Sequence, residues 1–242
     1  MIENYHDCPK LCELTKSDVP ITSMVPIDGH IKMVEENFDY EFDGISKFYP
    51  YVLPNCLIDG SIDYQILVIC GQSGKGKSTL LKSFPFYNKT LKKFDNSKAI
   101  VSNFATPEEA KNKLGAVGLN SLPVWCKPRS VVSVGEGYRA DIALNLDNDT
   151  VFDEFTSTVD RMVAKSLCVS LSKYIHRNNL KHIVTCSCHK DYIEYLNPDI
   201  VIDLDDECVY DCRNADLGKT LLSKSTEPKT QVFGEYLSTI II

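Results

Sequence analysis

The sequence predicts an α/β fold, a mostly parallel sheet flanked by helices, and three observations carry that expectation. A continuous apolar run at 66–70 has the composition of a strand buried on both faces, and strand-like runs follow at 182–188 and 200–204. Helical patterns lie between them. The clearest is 157–177, where Val159, Met162, Val163, Leu167, Leu171, Tyr174 and Ile175 recur every three or four residues. Alternation of this kind closes into βαβ units. The third observation is residues 71–79, which join the first apolar run to a helix start and match G-x-x-x-x-G-K-[ST].

Taken in order, residues 1–55 are polar and punctuated by Pro9, Pro20, Pro26, Pro50 and Pro54. They are expected to pack on the core as an irregular segment, with one strand-like run at 34–42. The main domain is expected over 56–205. Its first unit, 62–84, is strand, loop and helix, the helix stopping before Pro85. Residues 86–100 are basic and rich in turn formers, and Ala99, Ile100 and Val101 read as a short strand. Thr106 is placed to cap a helix that opens at Pro107 and runs toward Leu119, with Glu109 set to complete a capping box. A small helical insert is expected over about 104–136, then a helix at about 138–146. A short strand follows at Thr150, Val151 and Phe152. Residues 206–242 are expected to form a tail.

Composition narrows the function classes. The 242 residues are 43% hydrophobic and 24% charged, which suits an ordinary soluble domain. No apolar run approaches the ~20 residues of a membrane span, and the N-terminus does not resemble a signal peptide. A cytoplasmic location without membrane insertion is therefore expected. A net charge of −7 gives no support for nucleic-acid binding over the whole surface, leaving only a local basic patch as a route to it. The ten cysteines are expected to be reduced thiols. Cys8/Cys12 and Cys208/Cys212 form two C-x₃-C pairs, with His6 and His189 of ligand type. A structural zinc site is conceivable, although the spacing is not the usual C-x₂-C.

The loop carries the first chemistry. Its glycines, Gly71, Gly74 and Gly76, let the backbone curl around an anion, and the N–H groups of Ser73, Lys75 and Thr79 add donors. Lys77 would neutralise β/γ-phosphates and Ser78 would ligate Mg²⁺. A nucleoside triphosphate with Mg²⁺ is the expected ligand pair, which the resemblance below narrows to ATP. Downstream, Asp153 and Glu154 end a strand with two carboxylates, Asp153 suited to hold the metal and Glu154 to orient water. His189 follows the next strand.

This ordered set resembles the ATP-binding cassette (ABC) ATPases, over about residues 62–204. Val132, Ser133, Val134, Gly135 and Glu136 look like the family's signature, with Arg139 and a helix behind it. Residues 153–157 look like its D-E-P-T-S segment, Asp160 like the D-loop aspartate and His189 like the switch histidine. The wording of 152–165, with Cys188, His189, Lys190 and Asp191 and then Asn197, Pro198 and Asp199, is similar to a soluble phage and bacterial branch. In that branch the cassette is often fused to a GNAT-type acetyltransferase domain. The resemblance implies a P-loop NTPase with a catalytic pair Glu154 and His189. It also implies nucleotide contacts from the loop, Ser133, Gly135, Glu136 and Asp160, and a head-to-tail, ATP-dependent homodimer. A protein partner or a separate acetyltransferase is a further implication, as is a host-cytoplasmic setting if the chain is phage-encoded.

The family pattern is not matched everywhere. No glutamine lies between Thr79 and the signature, so Asn103 stands as the substitute for the glutamine loop. Val134 replaces a signature glycine and Phe155 replaces a proline. Plainer readings exist for single residues. Ser133 and Gly135 could begin a helix, His189 could end a strand, and Asp160 could satisfy a helix dipole. Two rival functions follow: an ATP-binding regulatory or interaction protein with little turnover, and the nucleotide-binding subunit of a transporter.

Overall fold

A computed structural model describes residues 4–215. Its centre is a six-stranded sheet made from β1 (Lys10–Glu13), β4 (Ile66–Cys70), β5 (Thr150–Phe152), β6 (Ile183–Ser187), β7 (Ile200–Asp203) and β8 (Cys208–Asp211), in the order β1-β8-β7-β4-β6-β5. β7, β4, β6 and β5 run parallel, whereas β8 and β1 are antiparallel additions at one edge. β4 and β6 are buried along their whole length, β4 as its unbroken apolar sequence requires and β6 with Thr185 and Ser187 inside. Alternate residues of β4 serve opposite faces. Ile66, Val68 and Cys70 join the core beneath α3 (Pro107–Ala116), α5 (Val134–Asn145) and α6 (Arg161–Arg177). Leu67 and Ile69 join Leu80 and Leu81 of α2 (Lys77–Leu81) with Tyr51, Leu53 and Leu57 on the other face.

Several elements differ from the sequence expectation. The run 34–42 is not a strand: α1 (Gly29–Phe38) occupies most of it, capped by Asp28 through the N–H groups of His30 and Ile31. α1 lies between β2 (Ile21–Met24) and β3 (Ile45–Phe48), which pair with each other and not with the main sheet. No residue of α1 is buried, so core burial did not shape its sequence. The expected strand at 99–101 is a 3₁₀ turn, Ile100–Asn103, because the Ile100 N–H donates to Lys127 O (2.9 Å) and not to a strand. β5 is consequently the edge of the sheet. α5 begins at Val134, four residues before the expected start. β8 lies beyond residue 205 and pairs with β1, so the sheet reaches outside the expected 56–205 limits at both ends. The remainder of the expected tail, 216–242, lies outside the described residues.

The C-x₃-C pairs meet across β1 and β8, Cys8 beside Cys212 and the Cys208 Sγ donating to Cys12 O at 3.4 Å. All ten cysteines are free thiols. Among the described residues no cluster of three ligand atoms includes a cysteine, so the zinc reading finds no site.

Candidate functional site

The C-terminal ends of β4, β5 and β6 bring the sequence-derived residues to one end of the sheet. The loop after β4 turns through Gly71, Gly74 and Gly76, which have φ of 144°, 81° and 92°. The Lys77 ammonium lies inside this loop and donates to Gly71 O and Gln72 O, both at 2.8 Å. Ser73 and Gly74 hydrogen-bond to nothing among the described residues. Free N–H groups around a buried ammonium make a donor set suited to a phosphate. Ser78 and Asp153 are exposed oxygen donors. Two protein oxygens completed by phosphate oxygens and water are the usual holding of Mg²⁺, so the residues present fit that ion.

Asp153 and Glu154 follow β5 in a strained turn. Glu154 (φ 50°) and Thr156 (φ 67°) are both left-handed, and for β-branched Thr156 this is costly, about 1–3 kcal/mol. The turn is held from several sides. The Glu154 N–H donates to Asp153 Oδ1 (2.9 Å), the Ser157 hydroxyl to Glu154 O (2.7 Å) and the Phe155 N–H to Cys186 O (2.7 Å). Phe155 itself is fully buried, edge-on to Tyr192. Cys186 reports the clustering of charges here. Burial pushes its thiol up, Asp153 and Glu154 add to the shift, and Lys77 opposes it. The loop lysine and both carboxylates thus act on one atom of β6.

His189 is exposed, and its backbone N–H donates to Ser187 Oγ (3.2 Å). Its neighbours clamp it. Lys190 Nζ reaches both Asp203 oxygens (3.0 and 2.7 Å) and Asp205 (3.0 Å), and Asp205 Oδ1 accepts the Gln72 N–H of the phosphate loop (3.0 Å). Asp191 pairs with Arg161, the residue after Asp160. One tripeptide therefore ties the phosphate loop to the N-terminus of α6. Sequence reasoning missed Asp205, Lys190 and Arg161 as parts of the site. Arg161 and Lys190 stood only within the segments that carry the resemblance, and the one signal for Asp205 was its position just after a strand end.

Ser133 caps α5 in a full capping box. Its hydroxyl oxygen accepts the Glu136 N–H (3.3 Å), and Glu136 accepts both the Ser133 N–H (3.0 Å) and hydroxyl (2.8 Å). Gly135 faces the turn before Asp160, where an added Cβ would lie 3.5 Å from Thr158 O. Val134 is 72% exposed. Tyr138 Oη accepts the Thr156 N–H (3.2 Å), joining α5 to the carboxylate turn. Asp160 caps α6 through the Met162 N–H (2.8 Å). Asn103 is not free to reach the site: its Oδ1 accepts the Asp95 N–H (2.7 Å) and its Nδ2 donates to Ala99 O (2.8 Å). Phe48, also missed, lies against the phosphate loop, where a Cβ on Gly76 would come within 2.5 Å of its ring.

This arrangement is the fold of an ABC ATPase cassette, a mostly parallel α/β sheet flanked by helices. Among solved structures, the chain is similar to the ATP-binding cassette MJ0796, described as dimeric, in a post-hydrolysis state, bound to ADP and Pi. The TM-score is 0.50 at 14% identity, covering 80% of this chain and 95% of that one. A second dimeric structure of MJ0796, a bacterial ABC transporter cassette, gives a TM-score of 0.46 at 14% identity, with 78% and 93% covered. No family model matches the chain, and no curated protein matches it. Among the described residues no helix is long and apolar enough to cross a membrane.

Proposed function

We propose that this chain is an ABC-type ATPase that binds ATP with Mg²⁺ and hydrolyses it in a head-to-tail homodimer. The observation that carries the reading is the convergence of Lys77, Asp153, Glu154 and His189 at one end of the sheet, around free backbone donors. The loop N–H groups and Lys77 hold the β- and γ-phosphates. Ser78 and Asp153 would hold Mg²⁺, which supplies charge neutralisation on the phosphate oxygens. Glu154 orients the attacking water and His189 steadies the transferred phosphoryl group. Phe48 offers its ring to the base beside the loop.

Ser133 and Gly135, displayed on α5 beside the 158–160 turn, face a second copy. Each composite site then takes its loop from one subunit and its signature from the other. In this reading Asn103 braces its own loop and makes no contact with the reacting groups. The soluble phage and bacterial branch remains the sequence affinity that fits the segment 152–165 best, and the partner process is coupled through the dimer. A second reading, an ATP-dependent switch with slow turnover, draws on two observations: the exposed Val134 in the signature and the engaged amide of Asn103.

Phosphate release measured with Mg·ATP tests the proposal. Glu154→Gln should retain ATP binding and lower turnover by at least about 100-fold, in line with general-base loss. Equal turnover in the variant and the native chain would refute the assignment.

A further inference from the structure

A second ligand surface lies on the helical side of the molecule. A groove of about 550 Å³ runs between α3, α6 and the segment around Trp125. Its volume falls within the range of small-molecule sites, roughly 300–1,000 Å³. Lys111, Lys173 and Arg177 line it, and no carboxylate does. In a chain of net charge −7 this is a marked local reversal of sign. Among the described residues neither Lys173 nor Arg177 has an ion-pair partner. Lys111 has only Glu108, at 3.9 Å and exposed, a contact of little energetic weight.

Two rings share the groove with the cations. Trp125 is half-buried and fixed by its indole N–H, which donates to Leu119 O at 2.6 Å. Tyr174 is also half-buried and lines the same groove. Asn112, Asn120 and Asn178 also line it, the Nδ2 of Asn112 donating to Glu108 and that of Asn178 to Tyr174 O, so that their amide oxygens are the groups offered as acceptors. Cations for phosphates, flat rings for stacking and amides for base edges are the components of single-stranded nucleic-acid sites. An acidic peptide would use the cations and meet the amides with its backbone, but its carboxylates would leave the two flat rings without a stacking partner.

We infer that this groove binds a nucleoside phosphate unit, its base against Trp125 and Tyr174 and its phosphates on Lys111, Lys173 and Arg177. That unit could come from a single-stranded nucleic acid or from a free nucleotide. The inference does not depend on ATP hydrolysis at the phosphate loop.

Trp125 is the only tryptophan of the chain, so its fluorescence reports directly on the groove. The experiment titrates the full chain, carrying Lys77→Ala to silence the phosphate loop, with a single-stranded oligothymidylate and separately with AMP. Saturable quenching is expected in at least one arm. Tighter binding of the oligonucleotide identifies nucleic acid as the source, and equal binding of AMP identifies the free nucleotide. Three phosphate contacts give a salt slope of about −2 for single strands, roughly a 16-fold loss between 50 and 200 mM salt. Lys173→Glu with Arg177→Glu should weaken binding at least about tenfold. The milder Lys173→Gln, at an exposed position, should flatten the salt slope by about 0.7. Absence of quenching in both arms, unchanged affinity in the charge-reversed variant, or equal displacement by an oligoglutamate would each overturn the inference.

Discussion

The Lys77 ammonium holds two carbonyls of its own loop, so Lys77→Ala removes both the cation proposed to meet the phosphates and a brace of the loop. Charge-assisted hydrogen bonds contribute about 1.5–3 kcal/mol each, so ATP affinity by calorimetry should fall at least about tenfold. Asp203 makes a different case. Burial raises its pKa, but Lys190, Tyr5 and the Asp205 N–H outweigh this and hold it below the usual carboxylate range. A depressed native pKa stabilises the fold above the unfolded value of about 3.9, and that contribution is lost as pH falls through the native pKa. Asp203→Asn should therefore cost about 3 kcal/mol at neutral pH, the low end for a broken buried pair, because Lys190 is 32% exposed and keeps Asp205. The gap between variant and native stability in urea should narrow below about pH 4. A constant gap down to pH 2 would show that the pair contributes nothing through charge. Residues like Lys77 were legible because a motif fixes their chemistry. Asp203 and Lys190 were not, since their pairing joins a strand end and a loop 13 residues apart.

At the level of elements, β4, β6, β7 and α6 were legible because burial imposes either a run rich in apolar and β-branched residues or a three-to-four repeat. α1 escaped because no residue in it is buried, so its apolar positions follow no core. β1 and β8 escaped because each is only four residues long and mixes charged with apolar side chains. The turn at Ile100–Asn103 looked like a strand because the apolar run Ala99, Ile100 and Val101 says nothing of the Lys127 carbonyl that captures Ile100. Phe155, which looked like a lost proline, is a buried plug whose N–H holds Cys186 O. Phe155→Pro should thus destabilise the chain by at least about 3 kcal/mol, through lost core volume and a lost hydrogen bond. A thermal midpoint unchanged by that substitution would contradict the packing described. Asn103→Gln should leave ATP turnover no faster than native, since the longer amide no longer fits its bonds to Asp95 and Ala99. Faster turnover would return Asn103 to the catalytic loop.

For the whole molecule, one tripeptide connects the phosphate loop with the start of α6, and α5 touches the carboxylate turn through Tyr138. The elements that would meet nucleotide are therefore mechanically joined within a single chain, while Ser133 is exposed and Gly135 packs against the 158–159 turn. A complete site on this account needs a second copy. Mixing Lys77→Ala with Ser133→Arg subunits should restore part of the phosphate release that each lacks alone, because one of the two composite sites then carries neither lesion. Light scattering of Glu154→Gln tests the central claim most directly, since that variant should bind ATP and stall before hydrolysis. With Mg·ATP at saturation the account predicts twice the mass of one chain, returning to the mass of one chain when ATP is removed. A single-chain mass at ATP concentrations that calorimetry shows to be saturating would contradict it.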